Sequence, residues 1–360
     1  MPLYMDIHTV ESDDFSVEDV VTAHMKDLTV QEKFGVIQIK YWVDVENKKI
    51  FCLMEGPSKE ACNAVHLESH GNTACNIIEV SDDEFNLFLN NGKTKEDLAH
   101  KDSGDVDAGF RTFLLINTYD FTNKYNHYTN QIYKLTKRYN GLNIAQVNKG
   151  VFVYFTDTID AIMCAIEIER LLKTIPETYE YWLTLVTGNP VDTKGENIFE
   201  ETKTKINTLS NIGLNGKIYI DAMTNSIIKK KPNAPKINSE TFKIISNNHY
   251  LLIEKIDHIF NNHLYNPNFN VEKLNTLLGL SKAQSFRKIK SVIGFSPIQL
   301  IKELRLRKSL EFLKTNTKTV AEVAYDLGFN SPTYFTRVFK KRYNMLPTSF
   351  VKFYKTDFYN

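Results

Sequence analysis

The sequence predicts a multidomain chain in which two α+β domains precede an all-α domain built around a duplicated helical unit. Three observations carry this expectation. Strand-period and helix-period segments alternate up to about Lys230. Two polar stretches, Ser81–Gly109 and Lys229–Lys236, interrupt them, and the second holds two prolines that disfavour helix and strand interiors. The remaining residues carry one spacing pattern twice. The expected domains are residues 1–82, 108–230 and 248–356, each of ordinary domain size.

In the first domain, Leu3–Val10 reads as a strand with Asp6 and His8 on one face, because side chains two apart point together. Ser16 is placed to cap a helix running to about Phe34, with Asp19 completing a capping box. Strands are expected at Val36–Val45 and Ile50–Met54, a helix at Ser58–His70 and a last strand at Asn76–Val80. The order β-α-β-β-α-β is the ferredoxin-like arrangement. Four of the nine histidines lie here, and His66 and His70 stand at i, i+4, a spacing that can chelate a metal. His8, His24 and Asp6 would complete a site if the sheet face and the helices converge on them. Imidazole suits nickel, copper, zinc or iron. The competing reading is a solvated or capping pair.

The middle domain repeats the alternation. Arg111–Asn117 reads as an apolar strand and Asn123–Tyr139 as a helix. Ile144–Val147 and Val151–Phe155 form a hairpin, Thr158–Lys173 a helix, and Trp182–Val186 and Lys217–Ile220 strands flanking a polar helix near Phe199–Leu209. This is a second α+β sheet of ferredoxin-like order.

In the last domain, Arg287-x2-Lys290-x3-Gly294-x2-Pro297 recurs as Arg337-x2-Lys340-x3-Asn344-x2-Pro347. Each copy follows a short apolar helix ending in Leu278-Gly279-Leu280 or Leu327-Gly328-Phe329. A helix, a glycine turn and a cationic helix make a helix-turn-helix, and two such units can present two reading helices to successive major grooves of double-stranded DNA. Charge agrees: Tyr250–Asn360 carries 18 Lys+Arg against 8 Asp+Glu, whereas the whole chain has a net charge of only +1. In the second unit Tyr334, Phe335, Val338 and Phe339 are expected to pack, leaving Ser331, Thr333, Thr336 and Arg337 outward. Arg reads guanine bidentately; Lys340, Lys341 and Arg342 suit phosphates.

No apolar run approaches the ~20 residues that span a bilayer, and the first residues lack the pattern of a signal peptide. Cys52, Cys62, Cys75 and Cys164 are scattered, with no CxxC pair. A cytoplasmic protein with reduced thiols and no membrane partner is expected.

Residues 251–354 resemble the AraC/XylS family of bacterial transcription regulators. The match lies in Ser281-Lys-Ala-Gln-Ser-Phe-Arg-Lys-Ile-Lys290, Gly294-Phe-Ser-Pro297, Leu304-Arg-Leu-Arg-Lys308, and Val320 through Pro347 with Tyr334-Phe-x-Arg-x-Phe-Lys340. The resemblance implies a seven-helix domain that reads a promoter operator through Lys282, Ala283, Phe286 and Arg287 in the first unit, and Thr333, Thr336 and Arg337 in the second. Asn275 and Ser285 depart from it, standing where the family carries Ala and Leu.

Residues 1–80 resemble a small bacterial nickel-binding, ferredoxin-like family through Pro2-Leu-Tyr-Met-Asp-Ile-His8, Tyr41-Trp-Val-Asp44, Phe51-Cys-Leu-Met-Glu55 and Val65-His-x-x-x-His-Gly71. This implies nickel or another transition metal as the only cofactor. Residues 110–240 resemble the catalytic domain of class III nucleotidyl cyclases through Arg111-Thr-Phe-Leu-Leu-Ile-Asn117, Ala161-x3-Ala165-Ile-x-Ile168 and Leu185-Val-Thr-Gly188. Asn117 and Lys149 stand where those enzymes hold metal with carboxylates, and Lys205 where they carry Arg, so no enzyme activity is expected; a lysine cannot ligate Mg2+. Asp120 and Asp157 read as loop or cap residues. The expected function is a homodimeric transcription regulator with a sensing domain, acting on DNA and with RNA polymerase as a further partner. The alternatives are an active cyclase fused to a DNA-binding domain, or a metal storage or chaperone protein.

Overall fold

Ser16 starts the first helix by exchange. Its hydroxyl accepts the Asp19 amide at 3.2 Å while the Asp19 carboxylate accepts the Ser16 amide at 3.0 Å, which satisfies two donors a helix start leaves open. The computed structural model describes residues 1–81, 84–85, 98–101, 104–122, 124, 127–144, 150–176, 178–232, 234–315 and 317–355.

The first unit comprises β1 (Leu3–Thr9), α1 (Val17–Val30), β2 (Ile37–Asp44), β3 (Lys49–Glu55), α2 (Lys59–Ser69) and β4 (Asn76–Val80), with a 3-10 turn at Gln31–Phe34 ending the first helix earlier than the sequence predicts. Its sheet runs β2-β3-β1-β4, antiparallel throughout. Strand alternation then divides the side chains. Tyr4, Val43, Cys52 and Met54 bury against α1 and α2, and Asp6 and His8 share their face. Met5, Ile7 and Phe51 enter the opposite cluster.

The second unit comprises β5 (Arg111–Asp120), α3 (His127–Arg138), β6 (Leu142–Ile144), β7 (Val151–Phe155), α4 (Thr158–Leu172), β8 (Tyr179–Gly188), α5 (Glu200–Asn211), β9 (Lys217–Asp221), α6 (Ala222–Lys230) and β10 (Phe242–Ile245). Its six strands run β10-β9-β8-β5-β7-β6, parallel only where β8, β9 and β10 meet. The hairpin residues 145–149 and the predicted helix start at Asn123 lie outside the described residues. Two elements differ from expectation. The run at Lys229–Lys236 begins inside α6, which is capped by the Asp221 carboxylate accepting the Thr224 amide at 3.0 Å and anchored by buried Ile228. The four-residue β10, too short to show a period, forms by pairing with β9.

Seven helices complete the described chain: α7 (Asn247–His263), α8 (Val271–Leu278), α9 (Lys282–Ile293), α10 (Pro297–Thr315), α11 (Val320–Asp326), α12 (Pro332–Tyr343) and α13 (Pro347–Lys355). The second turn shows why glycine is required. Gly328 has φ +76°, and a Cβ there would lie 2.9 Å from Arg305 Nη2. Arg305 is buried and donates to the carbonyls of Leu264, Asn266 and Phe269 at 2.9, 2.9 and 3.3 Å, tying α10 to the turn after α7. One apolar cluster runs from Met5 and Phe51 through Phe113 and Tyr219 to Ile256, Leu274 and Ile289, so the three units share a core. Among the described residues no helix is long and apolar enough to cross a membrane.

Candidate functional site

The two helix-turn-helix units build matching outward faces. Ser281 caps α9 with a capping box to Gln284, and Ser331 caps α12 with Pro332 in its first turn. In α9, Ser285, Ile289, Val292 and Ile293 point inward, while Lys282, Ala283, Phe286, Arg287 and Lys290 are exposed. Lys290 Nζ donates to the Gly294 carbonyl at 2.7 Å, closing its own helix end. In α12, Phe335, Phe339 and Tyr343 are buried, Thr333, Arg337, Lys340 and Lys341 are exposed, and Ser331 and Thr336 are half-buried.

Two expectations for α12 are corrected. Tyr334 does not pack inward: it is 42% exposed, and its ring lies 5.3 Å from the Arg337 guanidinium. Residues three apart share a helix face, so it extends the outward surface. Arg342 does not face solvent for phosphates. It is held by Glu303 and Glu180 at 2.9 Å each, and these carboxylates outweigh the burial that alone would lower its pKa and push it above the usual arginine value.

The two departures in the first unit lie in its packing. Asn275 Oδ1 and Ser285 Oγ are buried without a hydrogen-bond partner among the described residues. An unsatisfied buried hydroxyl costs about 1–3 kcal/mol. Ser285→Ala is therefore expected to raise the thermal stability of the C-terminal unit by about 1 kcal/mol; an unchanged or lower melting temperature in calorimetry would count against this.

The first unit gathers a second constellation at a cavity of about 480 Å³ between the sheet and its two helices. His66 on α2 stands between two carboxylates: its Nε2 is 2.9 Å from Asp6 Oδ2 and its Nδ1 is 3.2 Å from Asp27 Oδ2. The Nδ1 contact is an ion pair and lacks hydrogen-bond geometry, and among the described residues Nδ1 has no other partner. His8 Nε2 lies 3.1 Å from Asp6 Oδ2, and His70, at the cap beyond α2, 3.4 Å from Asp27 Oδ1. Donor atoms of Asp6, His8, Cys52 and His66 all fall within 4.8 Å of one another, as do those of Asp27, His66 and His70. His24 lines the cavity but packs against Tyr41, ring centroids 4.3 Å apart and tilted by 33°, outside both groups. Asp27 and Cys52 escaped the sequence reading. Burial alone would raise Asp6, but His8 and His66 hold it well below the usual carboxylate value; His66 and His70 do the same for Asp27. Burial would lower His66, yet Asp6 and then Asp27 push it up to about 10.

In the middle unit Asn117 Nδ2 donates to Ser210 Oγ at 2.6 Å, and Lys205 Nζ lies 2.8 Å from Asp221 Oδ2. Lys149 lies outside the described residues. Asp157 caps α4, as expected, while Asp120 ends strand β5 and accepts the Thr122 amide at 2.9 Å.

Residues 274–352 match a family model described as a helix-turn-helix domain, and residues 4–80 match one described as nickel responsive protein SCO4226-like. The C-terminal segment is an AraC-type helix-turn-helix domain. Histidine kinase P4 of Formosa agariphila is 33% identical over 107 residues, 30% of this chain and 8% of that protein. The HTH-type transcriptional regulator MtrA of Neisseria gonorrhoeae is 36% identical over 84 residues, 23% of this chain and 28% of that protein. The chain thus spans less than a third of either relative. Among solved structures, SCO4226 from Streptomyces coelicolor is 36% identical, covering 22% of this chain and 94% of that one with a TM-score of 0.20. An adenylate/guanylate cyclase/hydrolase from Silicibacter pomeroyi is 18% identical, covering 35% and 83% with a TM-score of 0.30. The helix-turn-helix match thus lies C-terminal to a match with a different family in one chain.

Proposed function

We propose that the chain is a sequence-specific, DNA-binding transcription regulator of AraC type, with a metal-sensing unit over residues 1–82, a cyclase-like unit over 108–230 and the DNA reader over 248–356. Both sheet units are read as ferredoxin-like frames. The observation that carries the proposal is the pair of capped helices whose outward faces expose Arg287 and Arg337. Lys282, Ala283 and Phe286 in α9, and Thr333 and Thr336 in α12, flank these arginines on the reading faces; Lys290, Ser331, Lys340 and Lys341 are assigned to the DNA backbone or its approach.

The metal-sensing reading rests on the cavity of the first unit. Donor atoms of Asp6, His8, Cys52 and His66 lie within 4.8 Å of one another, those of Asp27, His66 and His70 form a second such group, and His66 joins the two, turning Nε2 to Asp6 and Nδ1 to Asp27. Asp6, His8 and His66 would hold nickel or another transition metal, with Cys52, Asp27 and His70 beside them and His24 in the cavity lining. When bound, the ion supplies a cross-link between sheet and helices. The middle unit pairs two copies of the chain and performs no cyclase chemistry, because Asn117 and Lys149 stand where those enzymes carry metal-holding carboxylates. The regulator acts in the cytoplasm, on a promoter operator beside RNA polymerase.

Duplex binding measured over a salt series is expected to give a log–log slope near the number of neutralised phosphates, about 6–10. Arg337→Ala should weaken the specific duplex by about 1–3 kcal/mol and spare weak non-specific binding. Equal loss on every sequence would reduce Arg337 to a phosphate contact, and binding indifferent to sequence and salt would overturn the proposal.

A further inference from the structure

The second reading helix is seated on the middle unit. In the last turn of α12, Arg342 sends Nε and Nη2 to Glu303 of α10 at 2.9 and 2.7 Å. Its Nη1 and Nη2 reach the two carboxylate oxygens of Glu180, at the start of β8, at 2.5 and 2.9 Å. One planar guanidinium thereby joins three elements, a geometry that a lysine cannot reproduce.

Independent contacts surround it. Phe121, directly after β5, sits in the apolar cluster of Phe335 and Phe339, its ring centroid 4.9 Å from that of Tyr343. Arg307 of α10 lies 4.6 Å over the Trp182 ring of β8 and donates to the Gly213 carbonyl. The Tyr354 hydroxyl of α13 donates to the Asp120 carbonyl. The outward residues of α12 nonetheless stay exposed, so this contact supports the reading face without covering it.

A reading helix must hold its side chains to within a fraction of an ångström of base edges, and a helix already fixed in that pose loses less freedom on binding. We propose that Glu180 is a positioning residue for DNA reading: through Arg342, the middle unit fixes the pose of α12. This rests on the DNA-reading function of the C-terminal unit. Its consequence is that whatever binds or pairs the middle unit acts on the second groove contact through Glu180 and Arg342.

The test uses the full chain and the duplex that the wild-type protein selects from a randomised pool. Affinity over a salt series and hydroxyl-radical footprints are compared for wild type, E180Q, R342Q and the double variant. Removing a carboxylate lowers repulsion of phosphates and would by itself tighten binding. E180Q is expected instead to bind about tenfold more weakly, with an unchanged salt slope and lost protection in one of two adjacent grooves. The double variant should bind no more weakly than R342Q alone. If E180Q does not fold, E180D, which shortens the arm but keeps the charge, should show the same one-groove loss. Unchanged or tighter binding, additive losses, or a smaller salt slope in R342Q would overturn the proposal. A wild-type chain that selects no sequence would overturn the DNA-reading function, and this proposal with it.

Discussion

His66→Ala is expected to lower the stability of the metal-free first unit by about 3–5 kcal/mol. The reason is the company His66 keeps. Asp6 is fully buried and Asp27 is 3% exposed, and the imidazole is the cation they share. Without it Asp6 keeps the Cys52 amide and His8, and Asp27 the Ser69 hydroxyl and the more distant His70, and a buried charge that loses its shared cation is costly. The pH dependence has a defined sign. His66 is raised from 6.5 to about 10, so its contribution is complete below pH 6.5 and is lost as pH rises toward 10. Asp6 and Asp27 are lowered from 3.8, so theirs is present above pH 3.8 and lost as pH falls. Stability in a chelator should therefore peak between those limits, and the alanine variant should lose the alkaline decline. Urea melts followed by amide-exchange protection in β1 would measure both. A loss under about 1 kcal/mol, or an alkaline decline that survives the substitution, would show that His66 is not the shared cation. Because a metal must displace the His66 proton, metal affinity in the wild type should rise with pH.

The parts of this molecule that were legible in the sequence are those written in neighbouring residues. The Ser16 capping box, the strand at Asn76–Val80 and the glycine turns at Gly279 and Gly328 each follow from a local rule. The duplicated spacing of Arg287 and Arg337 placed both arginines on outward helix faces for the same reason. What could not be read depends on partners far along the chain. Arg342 looks like Lys340 and Lys341 in sequence; its partner Glu180 is 162 positions away. Asp27 sits on α1 between ordinary surface residues, and only the packing of α1 on α2 turns it toward His66 and His70. Cys52 reads as one more apolar strand residue until its register opposite Asp6 is known. Tyr334 differs because an aromatic residue is usually a core residue, whereas here it stays on the outer face with the Arg337 guanidinium 5.3 Å from its ring.

Phe335→Ala is expected to cost about 3–5 kcal/mol of stability and to abolish specific DNA binding, in contrast to Arg337→Ala, which should leave stability unchanged. Phe335 and Arg337 are two positions apart on α12 and differ in what surrounds them. Phe335 is fully buried, with ring centroids of Phe329 and Phe339 at 5.1 and 5.6 Å. Its ring fills the space between the turn after α11 and the body of α12, and alanine would leave a void that a close-packed aromatic cluster cannot collapse to fill. Because Phe121 and Tyr343 belong to the same cluster, the loss should propagate to the contact with the middle unit and free α12 at both ends. Exchange protection should then fall in α11–α13 while α8 and α9, whose core is the separate cluster of Leu274 and Ile289, retain theirs. Loss of protection in both units together would mean that they unfold as one body and that the second reader has no stability of its own.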